Sequence, residues 1–232
     1  MGVERWTKEQ KPLRILKVEM LPLDSLHPHE EVIDVELEEF CTSLETKGVF
    51  FRPILVDRAS RVVLDGHHRV EGLRRLGAVK VPAILVDYRD EELELHTWYP
   101  LVWESPATVS SLLSAQARHA LLPRDEALGL VDSSEAGLAL LPATEEGVAV
   151  FYGEARDLLS VLGTHYDLEY TDTLEYVKKL KRQKGTLIYR RTPTKDEVIS
   201  RALAGDRYPP KTTRHHLPFR YQDIRIKLSY LF

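Results

Sequence analysis

From residue 13 to residue 100 short apolar stretches alternate with amphipathic ones, and turn formers close most of them. Leu13 to Met20 reads as a strand, followed by Pro22-Leu23-Asp24-Ser25-Leu26 and the loop His27-Pro28-His29-Glu30. Apolar positions at helical spacing predict a helix from Val35 to Lys47, with Gly48 as its C-terminal cap. Pro53 to Asp57 and Arg61 to Leu64 predict two strands joined by a polar turn, and Val81 to Tyr88 predicts another. Between them Val70, Leu73 and Leu76 recur at helical spacing, which predicts a helix from His68 to Leu76 closed by Gly77. Leu93 to Pro100 reads as one more strand. Alternation of this kind over about 90 residues is an α/β unit of ordinary domain size.

Beyond it the pattern changes. No lysine occurs from Val81 to Tyr176, and small and apolar residues dominate Ala107 to Gly147. The periodicity predicts helices at Thr108 to Leu121, Glu154 to Leu162, Thr173 to Arg182 and Thr194 to Ala204, and strands at Gly147 to Phe151 and Thr186 to Arg191. Thr194 with Glu197 three residues later is a capping-box signature. These elements predict a second α/β lobe, with the division placed between residues 1–104 and 105–232.

Composition narrows the class. At 232 residues, 43% hydrophobic and 29% charged, the chain can bury a sizeable core. No apolar run approaches the roughly 20 residues that span a bilayer, and Met1-Gly2-Val3-Glu4-Arg5-Trp6 lacks the apolar stretch of a secretory signal. A cytoplasmic protein without a membrane partner is expected. The single cysteine, Cys41, falls in step with Leu37, Phe40 and Leu44, so core packing is the reading. A net charge of −4 argues against an extended nucleic-acid footprint. From Arg207 to Arg220, however, there are four Lys/Arg residues, two histidines and no acid. A local basic loop on an acidic protein suits a compact anion better than a duplex.

The run Asp65-Gly66-His67-His68-Arg69 lies between a predicted strand and a predicted helix. Gly66 permits a tight turn, so the first N–H groups of the helix and its positive dipole end converge on one spot, with two imidazoles and a guanidinium beside it. An anion, most naturally a phosphate, belongs there. Asp-Gly is also simply a turn signal, and the pairs His67-His68 and His215-His216 invite a zinc reading. Each pair abuts an arginine, which suits an oxyanion and not a metal, so phosphate is preferred. Glu30 could act as a base, although Glu30 and Glu31 also read as ordinary acids near a helix N-terminus. Two further loops place polar groups beside well-patterned elements: Thr97-Trp98-Tyr99-Pro100 and Lys211-Thr212-Thr213-Arg214-His215-His216. Alternation along the first would put Thr97 and Tyr99 on one face and Trp98 on the other. There is no Walker-type loop, dinucleotide fingerprint or HExxH motif.

Leu23-Asp24-Ser25-Leu26, Pro53-Ile54-Leu55-Val56 and Asp65-Gly66-His67-His68-Arg69 together resemble the ParB/sulfiredoxin-like fold, whose Gly-x-x-Arg turn holds nucleotide phosphates. With Pro28-His29-Glu30, Thr97-Trp98-Tyr99-Pro100 and Pro210-Lys211-Thr212-Thr213-Arg214-His215, the chain is similar to the archaeal free-serine kinases that use ADP. The resemblance covers roughly residues 13 to 100 and 186 to 232. It implies a nucleotide-binding N-terminal domain, a second lobe carrying the substrate loop, and an active site in the cleft between them. The reaction implied is transfer of the β-phosphoryl of ADP to free L-serine, giving AMP and O-phospho-L-serine with Mg²⁺ assisting, as a step toward cysteine. The resemblance makes Glu30 the general base and gives the diphosphate to Asp65, Gly66, His67, His68 and Arg69. Thr97, Trp98, Lys211, Thr212, Thr213, Arg214 and His215 would bind the serine side, with Asp65 and Glu36 as candidate Mg²⁺ ligands. A ParB-like nucleotide switch that clamps DNA or a partner is the alternative, but residues 106 to 150 hold only Arg118 and Arg124 as basic residues.

Overall fold

The computed structural model describes residues 11–142, 147–180 and 185–232. They form two compact units. The first comprises residues up to Leu95 together with Thr194–Pro210 and His215–Phe232; the second comprises His96–Pro193 and Lys211–Arg214. A division at residues 104 and 105 is therefore not what the fold shows. The chain end returns to the first unit because its apolar residues are needed there: Leu231 is fully buried in that core, with Ile224, Ile226 and Leu228 packed against it.

In the first unit, strands β1 (Val18–Pro22) and β2 (His27–Pro28) precede helix α1 (Asp34–Lys47). Strands β3 (Ile54–Asp57) and β4 (Val62–Asp65), helix α2 (His67–Arg75) and strand β5 (Lys80–Val86) follow. The sheet order is β1-β5-β3-β4-β2. The β3/β5 and β2/β4 pairs are parallel, and the β1/β5 and β3/β4 pairs antiparallel. Strand alternation sorts the side chains into two layers. Ile54, Val56, Val63, Val81 and Ala83 meet Leu44, Val70 and Leu73 from α1 and α2. Leu55, Val62, Leu64 and Ile84 meet Val198 and Ala202 of the helix Lys195–Leu203 on the other face. Burial on both faces explains why β3 and β4 read as unbroken apolar runs.

Cys41 lies in this interior against Gly72, as its spacing predicts. Gly48 ends α1 at φ 63°, the left-handed cap expected of it. The capping box forms as read: Thr194 accepts from the Glu197 N–H, and the Glu197 carboxylate accepts from the Thr194 N–H.

In the second unit, strand β6 (Tyr99–Val102) is followed by α3 (Pro106–Ser114), β7 (His119–Leu122), α4 (Arg124–Asp132), β8 (Leu138–Leu141) and β9 (Val148–Phe151). Helix α5 (Ala155–His165), strand β10 (Glu169–Thr171) and strand β11 (Thr186–Tyr189) complete the sheet. Its order is β7-β9-β8-β11-β6-β10, antiparallel throughout. Ala127 and Val131 of α4 pack on one face, and Val109, Leu113, Leu158 and Leu162 of α3 and α5 on the other.

Here the sequence reading needs correction. The helix expected from Thr108 to Leu121 stops at Ser114, and its tail becomes β7. Helix α4 and strand β8 were not anticipated. Pro123 ahead of Asp125 and Glu126 is a helix start signal, whereas all four residues of β8 are buried and offer no alternation to read. The helix expected from Thr173 to Arg182 forms over Tyr176–Leu180; its last two residues lie outside the described ones.

Candidate active site

Strand β4 runs into Gly66 and helix α2 starts at the next residue. Gly66 adopts φ 109°, closed to residues with a side chain, and a β-carbon there would lie 2.7 Å from Ile54 Cγ2 and 2.9 Å from Arg69 Cζ. A glycine cannot cap a helix with its side chain. The first turn of α2 therefore has no side-chain cap, and an uncapped helix start is the physical basis of an anion cradle.

Arg69 does not project from this turn. Its Nη1 donates to the carbonyls of Arg52 and Pro53, and its Nη2 lies 2.9 Å from Asp65 Oδ2. Tyr221 Oη donates to the same Asp65 oxygen at 3.0 Å, and the Arg52 guanidinium sits over the Tyr221 ring. Burial raises the Asp65 carboxyl, but Arg69 and Arg52 outweigh it and hold it below the usual carboxylate range. Arg69 and Asp65 thus frame the turn.

Behind the turn is a cluster of three imidazoles. His29 is fully buried; its Nδ1 lies 2.7 Å from the Val63 carbonyl and 3.2 Å from His67 Nε2. Its ring stands edge-on to His67 and to His215, with centroids 4.5 and 5.6 Å away. His215 Nε2 is 2.8 Å from the Tyr88 hydroxyl, and the Leu64 carbonyl also bonds this ring. Burial lowers all three imidazoles, His29 to about 4 and the other two well below the ordinary value, with mutual repulsion adding to the effect on His67 and His215. Burial likewise drives the Tyr88 hydroxyl up. The cluster is therefore neutral. Ring nitrogens engaged with each other, with carbonyls and with a phenol are poor zinc ligands, so His67 and His215 drop out of the metal reading, whereas His216 lies with Glu94 and His96 in a group whose ligand atoms are within 4.8 Å of one another.

Neutral imidazoles make acid destabilising. Unfolded, His29 takes a proton near 6.5; folded, it resists until about 4. As pH falls through this window the unfolded chain binds the extra proton, so His29 alone removes about 3 kcal/mol of stability, and nothing above it. Urea unfolding between pH 7.5 and 4.5 should show midpoints falling with acid; a flat series would contradict the neutral cluster.

Glu30 follows His29 directly and is only 8% exposed. Residues 29–31 are laced to Tyr208: the Tyr208 N–H donates to the His29 carbonyl at 2.8 Å, and the Glu31 N–H to the Tyr208 carbonyl at 2.9 Å. Glu30 itself makes an isolated parallel bridge with Tyr208. The carboxylate is thus carried by backbone pinned to Tyr208, and the adjacent His29 meets His67 at the start of α2. His68 Nε2 accepts the Ile33 N–H at 3.0 Å, just ahead of α1, with Glu36 Oε2 3.5 Å away.

The second unit gathers the other expected residues. Thr97, Thr212 and Thr213 are buried, and Thr97 Oγ1 donates to the Thr212 carbonyl at 2.7 Å. The Arg214 guanidinium lies 4.6 Å from the Trp98 ring centroid, with Asp172 Oδ2 3.8 Å from its Nε. Lys211 adopts φ 59°. His215, expected to act with this loop, belongs to the first unit and to its imidazole cluster. Tyr88, Tyr221 and Arg52, which touch these groups, lay outside the runs singled out in the sequence, whereas Tyr208 lay in the basic run Arg207 to Arg220 and His29 in the loop before Glu30.

No family model matches the chain. The ADP-dependent L-serine kinase of Thermococcus kodakarensis is 31% identical over 243 residues, covering 100% of both chains. The ATP-dependent L-serine kinase of Staphylothermus marinus is 30% identical over 227 residues, covering 90% of this chain and 88% of the relative. A solved free serine kinase in complex with AMP, in which one glutamate is replaced by glutamine, matches with a TM-score of 0.86 at 29% identity. It covers 99% of this chain and 100% of its own. The fold and the glycine-initiated turn define a protein of the ParB/sulfiredoxin-like class. Within that class the chain belongs to the family of free L-serine kinases.

Proposed function

We propose that the protein transfers the β-phosphoryl group of ADP to the hydroxyl of free L-serine, releasing AMP and O-phospho-L-serine. In this reading the uncapped N–H groups at the start of α2 hold the diphosphate, framed by Asp65, Gly66 and Arg69 with His67 and His68 alongside. Glu30 takes the proton of the serine hydroxyl as its oxygen attacks the β-phosphorus. The bond from that phosphorus to the bridging oxygen breaks, AMP leaves with the electron pair, and the proton passes from Glu30 to solvent. Thr97, Trp98, Lys211, Thr212, Thr213 and Arg214 serve the amino acid, and His215 buttresses the turn through the imidazole cluster. Phosphoryl transfer asks mainly for positioning and charge stabilisation, which fits a site of rigidly held dipoles with one carboxylate.

The observation that carries the reading is the near-complete burial of Glu30 beside the phosphate turn. Replacement of a glutamate in the solved AMP-bound relative agrees with it. Asp65 and Glu36 are the carboxylates that would have to serve Mg²⁺. Asp65 is engaged by Arg69 and Tyr221, and Glu36 is 46% exposed beside His68. Such carboxylates do not fit a dedicated octahedral cage, and no step is assigned to the metal.

ATP is the second donor to consider, because the Staphylothermus marinus relative is ATP-dependent. Incubating the protein with L-serine, Mg²⁺ and either nucleotide separates the two. Phosphoserine with AMP from ADP supports the proposal, phosphoserine with ADP from ATP alone reassigns the donor, and no phosphoserine from either overturns the kinase reading.

A further inference from the structure

Arg190 has no role in the mechanism above, yet it is 4% exposed. A guanidinium is costly to bury unless its donors are matched, and here they are matched in one direction. Its Nε donates to the Trp98 carbonyl at 3.0 Å, its Nη1 lies 3.4 Å from Thr212 Oγ1, and its Nη2 donates to the Lys211 carbonyl. One side chain, carried at the end of β11, therefore grips both stretches of the second unit that the proposed function gives to the amino acid. Lys211 stands at φ 59°, a left-handed conformation unfavourable for a residue with a β-carbon. The bend it makes leads directly into Thr212 and Thr213, both buried.

We infer that Arg190 is a positioning residue for the serine substrate: it holds the left-handed bend at Lys211 closed against Trp98, so that Thr212 and Thr213 are presented in one fixed arrangement. The planar fork matters, because three donors reach three acceptors on two strands of chain. A lysine offers one compact ammonium on a flexible stem and can satisfy only part of this set. The inference rests on the serine-kinase reading, and its consequences separate from those of nucleotide binding because the three hydrogen bonds named above fall on Trp98, Lys211 and Thr212.

The test is Arg190→Lys, with Arg190→Gln as a second variant should the first fold poorly, assayed by steady-state kinetics in both substrates. Thermal melting and hydrogen exchange at residues 211–214 are followed in the substrate-free protein. The expected result is a rise of about ten-fold or more in KM for serine, the loss of a charge-assisted hydrogen bond. KM for the nucleotide should hold, and amide exchange at 211–214 should be faster. Parallel changes in both KM values, or an unchanged KM for serine, would overturn it. Unchanged exchange at 211–214 would overturn it even if the wild-type protein proved inactive on serine; that inactivity would be the failure of the kinase reading, and faster exchange would then still support the pinning of the loop.

Discussion

Glu30→Gln is expected to lower kcat for phosphoserine formation by about 10³-fold, within the usual contribution of a positioned general base. The substitution keeps the size of the side chain and its capacity for hydrogen bonds, so the buried site at 8% exposure should tolerate it. What it removes is the capacity to accept the hydroxyl proton. AMP and ADP should bind nearly as before, because the N–H groups at the start of α2 are untouched. Titration calorimetry with AMP beside a phosphoserine assay reads both quantities. A variant that keeps wild-type turnover would remove Glu30 from the chemistry, and one that loses AMP binding would show the carboxylate to be structural.

Gly66→Ala should be strongly damaging to the turn. Two independent penalties coincide at this residue. The backbone at φ 109° lies where residues with a side chain are strained, and the new carbon would meet Ile54 Cγ2 at 2.7 Å and Arg69 Cζ at 2.9 Å. Strain of about 1–3 kcal/mol and an overlap of similar size add to about 4 kcal/mol. Relief by moving Arg69 would break its bonds to Asp65 and to the carbonyls of residues 52 and 53, and the turn with them. Loss of measurable ADP binding with a large drop in the urea midpoint is expected; near wild-type values of both would show that the turn is neither tight nor needed.

The strand–glycine–helix turn at Gly66 was legible in the sequence because its signals are local. A β-branched pair, a glycine and a helical repeat of Val70 and Leu73 lie within a dozen residues, and nothing distant is required to read them. The chemistry behind it is not local. His29, His67 and His215 meet only after the sheet and the chain end are assembled, and Tyr88 joins His215 across 127 positions. For the same reason His215 read as part of the basic loop that precedes it, whereas its ring packs against His29 and Tyr88. Arg190 fell inside the strand predicted from Thr186 to Arg191 and carried no further signal, because its partners Trp98, Lys211 and Thr212 are distant in sequence. In the second unit the sheet hid itself in another way: Leu138–Leu141 is covered on both faces, so its four residues carry no period.

The return of the chain end to the first unit bears on how this molecule can be dissected. Leu231 accepts the backbone N–H groups of Val79 and Lys80 and is itself fully enclosed. The helix Lys195–Leu203 roofs the opposite side of the same sheet. A gene fragment ending at codon 104 would therefore encode a sheet that keeps α1 and α2 on one face without Leu231 and is bare on the other, and no single cut liberates the first unit as an intact module. A circular permutant that joins the chain ends and opens elsewhere, or an internal deletion bridging residues 95 and 194, is the form in which that module could be studied alone.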